Sequence, residues 1–271
     1  MSESAAILVG AVASSPRVVS FWEAMIEHFR AQNIAIEYAL FSSYERQVES
    51  LLQGHIDVAY DSPLSHARVK KRTEGRSITL AAADIDRGAS AKIIVRRDAD
   101  IRAFTALHGK KLAVGAKDSA PARILPLYYL SQAGVELAKV ELVPFDVHVG
   151  KHGDTTEAEL MVLAAVHDGR AQAGVVGTRI WSVENAASRV DPHRIEVLWT
   201  TPTFDLRVFD ALPTLAAPKA DAFQRVLLGM TAKNPAHKKV LEMEGIRQWV
   251  VPREEGYAAM MAALDMGFAS G

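Results

Sequence analysis

The segment from residue 44 to residue 69 limits the folds open to this chain more than any other part. It reads YERQVESLLQGHIDVAYDSPLSHARV. Residues 44–52 place their apolar side chains on one helical face and their charged side chains on the other, which predicts a short amphipathic helix. Gly54 follows as a glycine of the kind that ends helices, and residues 56–60 form a short apolar run that predicts a buried strand.

The dipeptide Ser62-Pro63 predicts that a second helix begins directly after this strand. Serine is a favoured N-cap, and proline is favoured at the first helical position. Backbone N–H groups at a helix start, at the carboxyl end of a strand, form a common ligand-binding position in α/β proteins. Asp61 and Ser62 are therefore candidate ligand-binding residues, and simple capping of the helix is the alternative for both.

The rest of the chain alternates between strands and helices in the same way. Predicted strands cover residues 5–12, 34–40, 78–85, 91–95, 110–114, 140–144, 173–177 and 195–200. Predicted helices cover residues 18–32, 119–133, 155–168, 221–231, 235–244 and 255–268. This alternation predicts an α/β protein with parallel sheets. Residues 52–59 and 167–174 both read as a helix end, a glycine and a buried strand, which indicates two halves of similar build.

Composition excludes several classes of function. A net charge of −1 gives no reason to expect nucleic acid or a membrane surface as a partner. The chain has no cysteine, so disulfides, cysteine nucleophiles and thiolate metal sites are excluded. No apolar run approaches the roughly 20 residues of a membrane span. Phosphate-binding loops, nucleophile elbows and dinucleotide fingerprints are also absent from the sequence.

The amino terminus decides the expected compartment. Residues 1–19 have no basic region, and their apolar run is short, so they predict a first strand rather than a signal peptide. The sequence as written therefore predicts a cytoplasmic protein, and a periplasmic protein if a leader was removed.

Five motifs carry a resemblance to a known family. They are Tyr44 before a helix, then GHIDVAYDSP, SAKIIVRRDADI, LHGKKLAVGAKDSAPARILPLYYL and VLAAVHDGRAQAGVV. In this order and spacing, over residues 5–208, the chain resembles the solute-binding proteins of ABC importers in the branch that takes phosphonate, phosphite or phosphate.

The resemblance implies a two-lobed fold of the periplasmic-binding-protein type 2 class. Each lobe would be a mainly parallel sheet flanked by helices, with a ligand cleft between the lobes. Residues 1–86 and 200–271 would form lobe 1, and residues 87–199 would form lobe 2. Closure over the ligand would be a hinge motion about crossings near residues 85–90 and 200–208.

The resemblance also implies residues that contact an anion. Ser119 and Ala120 open a helix where the family has a Ser-Thr-Ser turn that grips phosphonate oxygens, although only the first hydroxyl is kept here. Free N–H groups and the helix dipole suit an anion at such a turn. Tyr44 matches a family tyrosine that donates to the bound oxyanion. The alternatives are a plain N-cap for Ser119 and a surface position for Tyr44.

Four arginines are predicted to face the ligand: Arg87, Arg123, Arg179 and Arg207. Arg179 stands where phosphonate binders have a carboxylate for the ligand's amine. An arginine there would attract a second anionic group, since guanidinium pairs with carboxylate or phosphate. This favours a dicarboxylate, an aromatic acid or a phosphoester as ligand, unless these are ordinary surface arginines.

The histidine-containing loop before residue 155 allows several interpretations. His148, His152 and Asp154 invite a metal site or acid–base chemistry, but Gly150 and Gly153 argue against a helix that would align the histidines. We therefore predict no metal and no cofactor. The resemblance implies that His152 contacts the ligand, because family members often have a histidine just before the helix that matches residues 155–168.

Two classes of function remain from the sequence. The preferred one is a solute-binding protein that clamps a small anionic ligand, either with an ABC permease as partner or as a cytoplasmic sensor or carrier. The alternative is an enzyme on the same fold, of the decarboxylase or hydrolase type, with His148 or His152 as acid or base. The missing leader favours the enzyme. The lack of a recognisable nucleophile or metal cluster in the sequence favours the solute-binding protein.

Overall fold

The computed structural model describes residues 6–13, 15–146 and 156–269. Within them the chain divides into two compact units. Residues 6–87 and 205–257 form the first unit, and residues 88–146, 156–204 and 258–269 form the second.

Each unit contains its own sheet. The strands of the described residues are β1 (Ile7–Val12), β2 (Ile36–Phe41), β3 (Val58–Asp61), β4 (Ile78–Ala83), β5 (Ala91–Arg96), β6 (Lys111–Val114), β7 (Glu141–Pro144), β8 (Ala173–Gly177), β9 (Ile195–Thr200), β10 (Val208–Ala211) and β11 (Trp249–Val250). The sheet of the first unit has the order β11-β4-β10-β3-β1-β2, and that of the second unit has the order β7-β6-β8-β5-β9.

The helices of the described residues cover the faces of these sheets. They are α1 (Arg17–Ala31), α2 (Tyr44–Leu52), α3 (Pro63–Arg72), α4 (Leu125–Gln132), α5 (Thr156–His167), α6 (Thr178–Ala186), α7 (Ala217–Gly229), α8 (Pro235–Met243) and α9 (Ala258–Asp265). None of these helices is long and apolar enough to cross a membrane.

The predicted α/β class with two units is confirmed, but the sheets are mixed rather than mainly parallel. Strands β2, β1 and β3 run parallel, as do β7, β6 and β8. Strand β10 runs antiparallel to both β3 and β4, and β5 runs antiparallel to both β8 and β9. The first unit is mixed because β10 enters its sheet only when the chain returns from the second unit.

The carboxyl-terminal segment also departs from the predicted lobes. The sequence assigned residues 200–271 to the first lobe, whereas residues 258–269 cluster with the second unit. Apolar packing explains this, because the ring centroids of Phe268 and Tyr128 are 5.9 Å apart and Phe268 packs on the second unit's core.

The predicted helix over residues 119–133 is divided into two parts. A π-helical turn covers Ala120–Ile124, and the α-helix α4 follows with Pro126 in its first turn. Proline has no N–H to donate to the carbonyl four residues earlier, so the α-helical pattern cannot extend back through Ala122. That carbonyl instead accepts a hydrogen bond of 2.9 Å from the N–H of Gly115.

The similarity between the two halves is confirmed at the level of the backbone. Gly54 follows α2 and precedes β3, and Gly169 follows α5 and precedes β8. Both glycines have positive φ angles, of 72° and 80°, which allow the sharp helix end.

Candidate functional site

The turn that follows β6 is held by three hydrogen bonds. The hydroxyl oxygen of Ser119 accepts from the N–H of Ala122 at 3.1 Å, and its carbonyl accepts from the N–H of Ile124 at 2.9 Å. The N–H of Ser119 itself donates to the carbonyl of Ala116 at 3.0 Å. Ser119 and Ala120 are each 1% exposed, so the turn lies inside the second unit's fold and is rigidly set.

This turn leaves one backbone donor without a partner among the described residues. Pro121 has no N–H, and the N–H of Ala122 is taken by Ser119. The N–H of Ala120 takes part in no hydrogen bond within the described residues. Because the first N–H groups of a helix carry partial positive charge, this position favours an anionic acceptor.

Arg123 brings a positive charge to the same turn. Its Nη1 atom lies 3.5 Å from Oδ2 of Asp146, whose Oδ1 atom accepts the N–H of Lys117 at 2.7 Å. The Nη1 atom of Arg123 is buried and has no hydrogen-bond partner among the described residues. The guanidinium group therefore keeps donor capacity beside the turn.

The start of α6 lies against the same turn and brings in a residue that sequence analysis missed. The carboxylate of Glu159, which is buried on α5, accepts the N–H of Gly177. A Cβ atom placed on Gly177 would lie 3.0 Å from Glu159 and 3.5 Å from Pro121. The signal in the sequence was an acidic residue in the first turn of a helix whose later turns are apolar.

Arg179, on α6, is exposed. It forms no hydrogen bond or ion pair with any residue that the structure describes. Arg87 also lies at the surface, but its guanidinium donates to the carbonyl of Val251 within the first unit.

Arg207 is the most strongly partnered of the four predicted arginines. Its Nε atom lies 3.2 Å from Asp86, its Nη1 atom lies 3.0 Å from Glu244, and its guanidinium carbon lies 5.2 Å from the ring centroid of Tyr60. Burial lowers the pKa of Arg207, but Tyr60 and the two carboxylates outweigh burial and raise it well above its usual value. The phenol of Tyr44 also interacts electrostatically with Arg207, so the fold brings these two predicted residues together.

Asp61 and Ser62 are buried at the end of β3. Ser62 accepts the N–H of Ser65 at 3.2 Å, and Pro63 is the first residue of α3, so the predicted helix start is confirmed. Asp61 is 0% exposed and accepts a hydrogen bond of 2.8 Å from Nε2 of Gln47. Burial, followed by the charge of Asp210, raises the pKa of Asp61 well above its usual value.

His148 and His152, which sequence analysis singled out, lie outside the described residues. Within the residues that the structure describes, no group of three or more histidine, aspartate or glutamate side chains could hold a metal ion.

The chain matches a known protein family over most of its length. The model of the family described as "ABC transporter, phosphonate, periplasmic substrate-binding protein" matches residues 8–257. The chain belongs to this family. The predicted solute-binding function of the ABC-importer type is thereby confirmed.

Individual relatives agree with the family in fold. A probable ABC transporter phosphite binding protein, PhnD1 of Prochlorococcus marinus (strain MIT 9301), is 23% identical over 237 residues, which are 83% of this chain and 76% of the relative. The structure of PhnD1 in complex with methylphosphonate is 19% identical, has a TM-score of 0.72, and the match covers 97% of this chain and 98% of PhnD1. XAC2383 from Xanthomonas citri bound to ATP is 17% identical with a TM-score of 0.77, over 97% of this chain and 98% of that protein. These similarities confirm the predicted type 2 periplasmic-binding-protein fold.

Proposed function

We propose that this chain binds a small oxyanion of the phosphonate, phosphite or phosphate class and presents it to an ABC permease outside the cytoplasm. The observation that carries this proposal is the Ser119 turn, a buried helix start in a chain of a phosphonate-binding family, where the N–H of Ala120 has no partner within the part of the chain that the structure describes. PhnD1, a relative, is described as a phosphite-binding protein and was solved with methylphosphonate.

The chemistry of the turn supports an oxyanion rather than a neutral solute. Ser119 holds the turn, Ala120 offers its N–H, and Arg123 adds a charged donor whose Nη1 atom has no hydrogen-bond partner among the described residues. Hydrogen bonds to a charged acceptor are about twice as strong as neutral ones. Tyr44 of the first unit is proposed as a further donor, on the strength of its family match.

The first test is a calorimetric titration with methylphosphonate, phosphite, phosphate and sulfate. We expect Ser119→Ala to weaken oxyanion binding about tenfold. Without the hydroxyl, the N–H of Ala122 loses its acceptor and the turn loses its geometry. Ser131→Ala, on α4, is the matched control and should bind like the wild type. Since loss of a cap also costs about 1 kcal/mol of stability, the melting temperature of each variant is measured beside its affinity.

Two results of this titration would count against the proposal. Wild-type protein that binds none of the four anions would exclude the proposed class of ligand. An unchanged affinity in Ser119→Ala would remove the turn from the site. Phosphorus NMR of the same mixtures would reveal any conversion of the ligand, which would move the assignment to the enzyme alternative.

Arg179 is proposed to select for a ligand with a second anionic group. It is an exposed cation at the start of α6, without a hydrogen-bond or ion-pair partner among the described residues, and α6 begins beside the Ser119 turn. We expect phosphonoacetate to bind more tightly than methylphosphonate, and Arg179→Gln to remove that preference. Arg225→Gln, an exposed arginine on α7, is the control that should keep it. Equal affinities of the two ligands for the wild type would contradict this assignment.

A further inference from the structure

Two aspartates lie side by side inside the first unit, on strands that pair with each other. Asp61 on β3 stands opposite Val208, and Asp210 on β10 stands opposite Ala59, so both carboxyl groups project from the same face of the sheet. Both residues are 0% exposed. Two ionised carboxylates in contact at a buried position repel each other strongly, so such a pair holds a proton.

The partners of Asp210 are those of an ionised carboxylate. Its two oxygens lie 2.8 and 3.0 Å from Nδ1 of His66, and the hydroxyl of Thr79 donates to it at 3.5 Å. Within the described residues no lysine or arginine forms an ion pair with Asp61 or Asp210.

The partners of Asp61 are those of a carboxylic acid. Its Oδ1 atom accepts from Nε2 of Gln47 at 2.8 Å, whereas its Oδ2 atom is buried and is offered no donor by the described residues. A proton on Oδ2 resolves this, because Asp210 lies on the same face of the paired strands, and burial, followed by the charge of Asp210, raises the pKa of Asp61. The chain of hydrogen bonds then runs from Gln47 through Asp61 to Asp210.

The other groups around the pair leave this assignment intact. His66 on α3 packs against the ring of Tyr257, with ring centroids 4.3 Å apart. Burial, together with the charges of Asp205 and Asp210, raises the pKa of Tyr257, so this phenol stays neutral. Among the residues that the structure describes, His66 is the basic side chain that hydrogen-bonds to the pair.

Gln47 connects the pair to the helix that begins at Tyr44. The same Nε2 atom that donates to Asp61 also donates to the carbonyl of Tyr60 at 3.1 Å. Gln47 lies on α2, three residues after Tyr44 and therefore on the same helical face. Its amide fastens the helix that begins at Tyr44 to the end of β3, where Ser62 opens the next helix.

We propose that Asp61 is a positioning residue for solute binding, which rests on the function proposed above. Asp61 is held as a neutral carboxylic acid that donates to Asp210. In this form it fixes Gln47, and through Gln47 the helix that carries Tyr44. Ionisation of Asp61 would break the hydrogen bond to Asp210 and place two like charges together, and their repulsion would displace the carboxyl group to which Gln47 donates.

The direction of the pH dependence follows from the raised pKa of Asp61. An unfolded aspartate loses its proton near pH 4, whereas the native Asp61 keeps its proton to a higher pH. Between these two pKa values the native state binds more protons than the unfolded state, so stability falls as the pH rises. The Asp61→Asn variant should lack this fall of stability with rising pH.

Asp61→Asn is also the closest mimic of the protonated residue. Its Oδ1 atom can accept from Gln47, and its Nδ2 group can donate to Asp210. We expect it to bind methylphosphonate within about twofold of the wild type at pH 6. As the pH rises to 9, the wild type should lose affinity and melting temperature faster than the variant. Titration of the ligand affects both proteins equally, so it cancels in the ratio of their dissociation constants.

Two further measurements separate positioning from a structural role. The infrared band of a protonated carboxyl group should be present in the wild type and absent from Asp61→Asn. Asp61→Leu removes both hydrogen bonds and should bind methylphosphonate at least tenfold more weakly at every pH while it remains folded. Asp191→Asn, at the surface of the second unit, should match the wild type throughout.

The outcomes distinguish this inference from the function on which it rests. Parallel pH profiles for wild type and Asp61→Asn would overturn it, as would a folded Asp61→Asn that binds poorly at pH 6. Wild type that binds neither methylphosphonate, phosphite nor phosphate at any pH would overturn the proposed function and the positioning role together. The presence of the shared proton would then be tested by the infrared band of the protonated carboxyl group and by the pH dependence of the free energy of unfolding.

Discussion

Residue 115 must be glycine for the backbone to pack closely against the Ser119 turn. A Cβ atom on Gly115 would lie 2.6 Å from the Cβ atom of Ala122, which is closer than real side chains come. The N–H of Gly115 also donates to the carbonyl of Ala122, so the turn cannot move away without losing that bond.

Gly115→Ala should therefore cost about 1–3 kcal/mol of stability and weaken oxyanion binding, because the helix start must shift. Gly229→Ala is the matched control, since nothing other than its chain neighbours and its own helix backbone lies within 4 Å of its Cβ position. That change should leave stability unchanged or raise it by about 0.4–1 kcal/mol. Urea unfolding and calorimetric titration would measure both effects. A Gly115→Ala protein with wild-type stability and affinity would show that the turn is not closely packed.

Local signals in the sequence identified some of the candidate residues but not their partners. Ser62 and Ser119 were found because capping is a short-range pattern, and the structure places both at helix starts. The ion pairs of Arg207 reach Asp86 and Glu244, which are 121 and 37 residues away along the chain. Pairing over such separations depends on the completed sheet, so no local pattern could reveal it.

At the scale of elements, strand β10 shows where sequence patterns fail. It has four residues, VFDA, and all are buried, including Asp210. A buried aspartate in so short a run does not resemble a strand, and its position between β3 and β4 is set by distant pairing. Helix α2, by contrast, was predicted with its bounds intact because its amphipathic pattern and its caps are local.

The two helix–glycine–strand segments, around Gly54 and Gly169, differ in how tightly the glycine is surrounded. A Cβ on Gly54 would meet open space, whereas a Cβ on Gly169 would lie 2.8 Å from Nη1 of Arg96. That same Nη1 atom lies 3.5 and 3.4 Å from the carbonyls of Val166 and His167 at the end of α5.

We expect Gly54→Ala to cost about 1–2 kcal/mol, which is the strain of a left-handed alanine. Gly169→Ala should cost more, because it also displaces Arg96 from the helix end. Urea unfolding in a wild-type and an Arg96→Gln background would test this. The extra loss of stability in Gly169→Ala should vanish without Arg96. If both substitutions reduced the stability of the wild type equally, Arg96 would move aside without loss of stability.

For the whole molecule, the alternation of strands and helices was enough to predict the class, and the order of motifs was enough to predict the family. The distribution of residues between units was harder to predict. The apolar face of α9 indicates that the helix is buried but not which sheet it covers. The contact of Phe268, which follows α9, with Tyr128 and the second unit's core decides its place.

The position of β10 has a consequence for how the chain is made. Strands β3 and β4 leave the ribosome early, but the strand that pairs with both of them is encoded more than a hundred residues later. Until it arrives, the growing chain exposes two unpaired strand edges, which are sites for association with other chains. Closure of the first sheet must wait for a contact of long sequence separation, and such contacts form slowly. Biosynthesis, rather than the finished fold, is therefore the stage at which this protein is most open to misassembly.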